Sequence, residues 1–199
     1  ITGSNDNPVI TSGNQAGSIT EANLTTGSTT PDTASGTIAF ADVDLNDTHT
    51  TSVTSSAYVW SGGTLTTAQQ TALTNAFSLA PVSDSTATGS GSQGWTFSTA
   101  DSTLDFLNEG ETITATYTVE VKDALGQTAT KDVVVTLTGS NDQPTIVDGS
   151  TTATGSITEA NLTTGSTTPD TASGTIAFAD VDLNDTHTTS VTSSAYVWS

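Results

Sequence analysis

Cysteine and methionine are both missing from the 199 residues, and lysine and arginine together number two. Without cysteine there are no disulfides, no thiolate metal sites and no cysteine nucleophile. Against those two cations stand 21 Asp and Glu, giving a formal net charge of −19. Such a field repels phosphate backbones and anionic lipid headgroups and attracts cations, so no nucleic-acid partner is expected and metal ions are the natural partners. No apolar run exceeds four residues, far short of the ~20 that a membrane-spanning helix needs. No membrane insertion is expected in this segment, and no charged-then-apolar signal segment opens it. A chain beginning at Ile1 reads as a piece of something longer.

An apolar fraction of 33% with this much charge can mean disorder, but the patterning points elsewhere. From Thr112 to Lys122 the residues alternate strictly, with Ile113, Ala115, Tyr117, Val119 and Val121 on one face and threonines, Glu120 and Lys122 on the other. That period of two is a half-buried strand, and threonine suits its outer face. Asp123, Ala124, Leu125 and Gly126 supply turn chemistry, and Val133, Val135 and Leu137 resume the alternation, so the pair reads as a long antiparallel hairpin. Shorter strands are legible around Gly36 to Phe40, Thr51 to Trp60 and Gly94 to Ser98. Thr66 followed by Gln69 has the form of a capping box, and Ala68, Ala72, Leu73, Ala76 and Phe77 recur at helical spacing, which predicts a short helix over Thr67 to Phe77. Its apolar stripe reads as a lid on the core. Many strands with one small inserted helix predict an all-β sandwich.

A repeat organises the chain. Ser18 to Ser61 recurs without a substitution as Ser156 to Ser199, an offset of 138 residues, and Gly3-Ser4-Asn5-Asp6-Asn7-Pro8 is echoed by Gly139-Ser140-Asn141-Asp142-Gln143-Pro144 at an offset of 136. The expected organisation is a linker stub at 1–8, a complete unit at 9–138, a linker at 139–144 and the N-terminal part of a second unit at 145–199. On this reading the second unit is incomplete. Both identical segments fit the surface formed by Gly62 to Thr138 in local contacts, with Ser18 to Ser61 the expected native partner. The later copy is then disordered, swapped into another molecule, or completed by the next part of a longer assembly.

The acidic residues suggest what holds the units. Asp42, Asp44 and Asp47 in ADVDLND recur as Asp180, Asp182 and Asp185. Carboxylates this close repel by about 1 kcal/mol per pair at 4 Å even in water unless a cation sits among them. Calcium takes six to eight oxygens; a solvated acidic turn fits the motif alone as well.

The TGSNDxP linkers, the segment ASGTIAFADVDLNDTHT, the stretch LNEGETITATYTVEVKD and the closing VVVTLTGSNDQP, in that order, resemble VCBS repeats, the cadherin-like, immunoglobulin-like modules of giant bacterial RTX adhesins. The resemblance covers nearly the whole chain. It implies an immunoglobulin/cadherin-like Greek-key β-sandwich in tandem repeats, exported by type I secretion and held at the extracellular bacterial surface. The implied function is a structural extender module, rigidified by calcium at the linkers, that supports cell adhesion and biofilm formation. Its implied partners are neighbouring repeats and, through the incomplete unit, other copies of the chain. Carried over from cadherins, the junction ligands are Asn141 and Asp142 from the linker, Glu21, either Glu109 or Glu111, and Asp180 with Asp182. Asn5, Asp6, Asp42 and Asp44 are their counterparts at the front. Gly139 and Ser140 stand where cadherins carry an acidic residue and its neighbour.

Other chemistry is weakly signalled. His49 and His187 follow Asp-Thr at one repeat position and read as surface residues beside a strand. Asp105, Glu109 and Glu111 do not make the opposed pair that glycoside hydrolysis needs, and no nucleophile, base and oxyanion set is apparent, so the chain is not expected to be an enzyme. The Asn23 and Asn46 sequons are commonplace in a Thr-rich chain. Trp60, Trp95 and Tyr58 read as core, the alternative being a glycan- or cell-surface-binding face.

Overall fold

A computed structural model describes residues 2–198; Ile1 and Ser199 lie outside the described residues. Eight strands and one helix make up the first unit: β1 (Val9–Ile10), β2 (Gln15–Thr20), β3 (Pro31–Ala41), β4 (His49–Trp60), α1 (Thr67–Ala76), β5 (Phe77–Leu79), β6 (Ser90–Ala100), β7 (Thr112–Asp123) and β8 (Thr128–Thr138). They form two four-stranded sheets, ordered β1-β3-β6-β5 and β2-β8-β7-β4. All neighbours are antiparallel except β2, which runs parallel to β8 from Gln15 opposite Val133 to Thr20 opposite Thr138. With β1 and β2 sharing the role of first strand, these are the two sheets of an immunoglobulin/cadherin-like Greek-key sandwich.

The alternation of β7 and β8 sets the core. Ile113, Ala115, Tyr117, Val119, Val133, Val135 and Leu137 are buried and meet Ile38, Trp95 and Phe97 of the opposite sheet. Trp95 is the largest of these, 2% exposed, and its indole N–H donates to Gln15 Oε1 at 3.0 Å. Room for the ring depends on Gly36, where a Cβ would lie 2.6 Å from the indole. Trp60 and Tyr58 pack half-buried against the same core. The helix begins at the capping box of Thr66 and Gln69 and buries Leu73 and Ala76. The Tyr117 hydroxyl donates to the Leu73 carbonyl at 2.7 Å, tying the helix to the sheet.

β3 and β6 are longer than the apolar patterning predicts. Pro31-Asp-Thr-Ala-Ser35 pairs in full register with Thr96 to Ala100 because backbone bonding to a neighbour does not require apolar side chains, and Pro31 occupies the first strand position, where its missing N–H is tolerated.

Ser18 to Ser61 is the copy that contributes β3, β4 and the second half of β2. Beyond Thr138, β9 (Thr145–Ile146) and β10 (Phe178–Ala179) pair Phe178 with Ile146 and Ala179 with Thr145, the register in which Phe40 meets Ile10 and Ala41 meets Val9. The second copy thus repeats the first edge of the sandwich. Its apolar residues stay in water: Ile176 is 65% exposed where Ile38 is at 0%.

Candidate metal-binding clusters

The sandwich places the β3–β4 and β7–β8 loops at its front end, with the residue 3–8 linker. The β2–β3 and β6–β7 loops lie at its rear, where Thr138 leads into the second linker. Carboxylates collect at both ends. At the front, Asp42, Asp47 and Asp123 each place an oxygen within 4.8 Å of the others, and at the rear Glu21, Asp105 and Asp142 do the same.

At the front, the DVDLND loop closes on itself. Asp42 Oδ1 accepts the Asp44 N–H at 2.9 Å, and the Asp44 carbonyl accepts the Asp47 N–H at 2.9 Å. The linker docks onto it, since the Asp6 N–H donates to Asp44 Oδ2 at 2.7 Å. Asp123 closes the β7–β8 turn by accepting the N–H groups of Leu125 and Gln127 at 2.9 and 2.8 Å. Its other oxygen takes the Asn5 amide at 2.8 Å. That amide bond, with the turn N–H bonds, holds the Asp123 carboxyl below the usual carboxylate range. Asn5 Oδ1 and Asp47 Oδ2 are left buried with no partner. Burial first, then the charges of Asp44, Asp123 and Asp42, push Asp47 upward.

Behind this loop, His49 is buried between two carboxylates, with Nε2 3.1 Å from Asp42 and Nδ1 2.7 Å from Asp84. Burial lowers its affinity for a proton, but the bonds to Asp84 and Asp42 outweigh that and raise it. The surface placement expected for His49 is therefore corrected: its side chain is 0% exposed and braces Asp42. His187 repeats the contact to Asp180 at 2.7 Å from an exposed position.

At the rear, the second copy of the loop folds as the first does. Asp180 Oδ1 accepts the Asp182 N–H at 3.1 Å, and Asp182 Oδ2 accepts the linker N–H of Asp142 at 2.8 Å. Glu21, immediately after β2, takes the Ser140 N–H at 2.9 Å on Oε2. Asp105 takes the Gly27 N–H at 2.8 Å, and buried Asp101 accepts from Ala22 N–H and Thr25 Oγ1 at 2.8 and 2.7 Å. Glu21 Oε1, Asp105 Oδ1, Asp142 Oδ1 and Asp182 Oδ1 are buried without partners. Burial, reinforced by Asp142, Asp105 and Asp101 and opposed by the Ser140 bond, pushes Glu21 up to about 8. Asp105 and Asp182 are raised by burial first and by neighbouring carboxylates after it.

These observations place the sequence-derived residues as follows. Glu21 and Asp142 meet at the rear, Asp182 joins them through its bond to the Asp142 N–H, and Asn141 lies in the linker with its amide bonded to the Asp142 carbonyl at 2.6 Å. Asp180 stays outside the cluster and supports the loop through the Asp182 N–H and His187. Asn5, Asp42 and Asp44 gather at the front with the backbone of Asp6, whose side chain is exposed. Neither Glu109 nor Glu111 joins a cluster. Glu109 is exposed beside Gly110, and Glu111 turns to Trp60 and Asn184. Asp105 and Asp123, which do join, were legible only as a weak acid pair and as a turn residue.

The donors fit a hard cation. Every cluster atom is a carboxylate or amide oxygen, and buried orphaned oxygens of one sign cost several kcal/mol each unless neutralised. Calcium, with six to eight oxygens at about 2.3–2.6 Å, accepts this donor set and its irregular geometry. Asn5, Asp42, Asp47 and Asp123 would hold it at the front; Glu21, Asp105, Asp142 and Asp182 at the rear.

No protein-family model matches the chain, and no curated protein matches it. Among solved structures, it overlaps AggA, the major subunit of aggregative adherence fimbriae type I from Escherichia coli, at 11% identity and TM-score 0.37, covering 70% of this chain and 99% of that one. It also overlaps zebrafish RET cadherin-like domains 1 to 4 at 12% identity and TM-score 0.33, covering 80% of this chain and 38% of that one. Overlaps this loose bear no weight for function; the fold assignment stands on strand order and register.

Proposed function

We propose that the chain is a non-enzymatic spacer of the VCBS type from an extracellular bacterial adhesin, in which calcium at the unit junctions converts a chain of sandwiches into a stiff rod. The observation supporting this most strongly is the duplicated loop. Asp42-Asp44-Asp47 and Asp180-Asp182-Asp185 fold alike, and each receives the N–H of its own linker aspartate, Asp6 or Asp142. In the second case the linker aspartate held by the loop also stands with Glu21 and Asp105 of the unit before it, among buried carboxylate oxygens without partners, which supports a cation at the junction.

The physical consequence is a switchable joint. With calcium, oxygens from both units and the linker converge on one charge and the joint is held closed. Without it, the carboxylates repel and the contact at Asp142 opens. A bound ion also stabilises the folded chain by RT ln(1 + [L]/Kd), roughly 3 kcal/mol at a hundredfold excess over Kd. A spacer gains from identical copies through reach alone, which fits the unsubstituted repeat. Small-angle scattering tests this: millimolar calcium lengthens and narrows the particle and chelator reverses it. Identical profiles under both conditions overturn the reading.

A further inference from the structure

A second set of contacts joins the units beside the carboxylate cluster and involves none of its residues. Asn184 of the repeated loop reaches back to the rear of the first unit, where its amide donates to Glu111 Oε1 at 2.7 Å and to the Gly62 carbonyl at 3.2 Å. Its backbone N–H donates to Asn108 Oδ1 at 2.9 Å, and Asn108 returns a bond from Nδ2 to Asp185 Oδ1 at 2.6 Å. The receiving surface is built for the contact. Trp60 Nε1 holds the other Glu111 oxygen at 3.0 Å, and Trp60 stacks edge-on against Phe106 with centroids 5.1 Å apart. Glu111 sits where a side chain at Gly62 would be, since a Cβ there would lie 2.4 Å from both carboxylate oxygens.

We propose that Gly62, Asn108 and Glu111 form a docking surface for the Leu-Asn-Asp loop of the following unit, a metal-independent clasp that fixes the twist between units. Both Asn184 amide hydrogens are used, both Glu111 oxygens are taken by protein donors, and the Asn108 amide is matched at both ends. Such a set defines one orientation, whereas a cation among flexible carboxylates tolerates several. Calcium then closes the joint and the clasp selects the angle at which it closes. The inference rests on the reading that consecutive units are held in a fixed relation, but its residues are separate from the proposed ligands. Asn46, at the equivalent place in the identical front loop, makes no such contact among the described residues, and provides a control with the same local sequence.

Because the chain has no cysteine, spin labels at Ser56→Cys in the first unit and Ser173→Cys in the second report the inter-unit distance by pulsed electron resonance. In saturating calcium, Asn184→Ala and Gly62→Ala are expected to broaden or shift the distance distribution, while Asn46→Ala leaves it as in the parent and the calcium midpoint is unchanged in all three. Gly62→Ala displaces only the flexible end of Glu111, so it tests the clasp without threatening the fold. An unchanged distribution in Asn184→Ala and Gly62→Ala, or an equal change in Asn46→Ala, overturns the clasp. If calcium fails to narrow the parent distribution, the calcium reading falls instead, and the contrast between Asn184→Ala and Asn46→Ala still decides the clasp.

Discussion

Replacing Glu21 with glutamine should change sign with calcium. The carboxyl lies buried beside Asp105 and Asp142, and its folded pKa is pushed up from 4.5 to about 8. Between those values the folded state binds more protons than the unfolded one, so stability without calcium falls as pH rises through the window. At about 1.4 kcal/mol per pH unit, the loss between pH 5 and pH 8 is on the order of 3 kcal/mol. For a chain of this size that corresponds to roughly 6–12 °C in melting temperature. Glu21→Gln removes the ionisation while keeping an acceptor for the Ser140 N–H and placing an NH2 toward the orphaned aspartates. In chelator at pH 8 the variant should therefore melt higher than the parent, and at pH 5 the two should converge. In millimolar calcium the order should reverse, because a charged ligand has been lost. Melting curves at both pH values, with calcium and with chelator, decide the matter. A variant less stable than its parent in chelator at pH 8, by the same amount as at pH 5, would refute the argument that Glu21 is an unneutralised buried acid.

Gly36→Ala should destabilise the sandwich by about 1–3 kcal/mol, since its Cβ meets the Trp95 indole at 2.6 Å; denaturant midpoints and tryptophan fluorescence check this. Asp123→Ala deprives two turn N–H groups and the Asn5 amide of their acceptor, at a cost of about 1–3 kcal/mol in the absence of metal, and should remove calcium binding at the front while leaving the rear site intact, as read by calorimetric stoichiometry. Magnesium, which demands a tight octahedron and retains its waters, should raise the melting temperature far less than equimolar calcium.

The β7–β8 hairpin and the helix were legible because each carries a strong period and its own turn or cap chemistry: Thr112 to Lys122 alternates without a break, and Thr66 with Gln69 forms the capping box. Pro31 to Ser35 was not, because its pairing is purely backbone and its polar side chains give no period. The site was partly legible. The duplicated Asp loop and the linker Asn-Asp are each contiguous motifs and announce themselves, whereas Asp105 and Asp123 reach the clusters only through the sandwich topology, Asp105 from 84 positions beyond Glu21 and Asp123 from 81 beyond Asp42. His49 illustrates the same limit. Its burial follows from Asp84, which the β5–β6 connection delivers from a stretch with no motif.

The central claim is that the two carboxylate clusters bind calcium. Isothermal titration of calcium into the chelator-stripped chain at neutral pH tests it most directly. The account predicts saturable binding with at least one ion at each end of the sandwich, accompanied by proton release because Glu21, held near pKa 8 without metal, must ionise to ligate. No binding heat at millimolar calcium in buffers of differing ionisation enthalpy would contradict it.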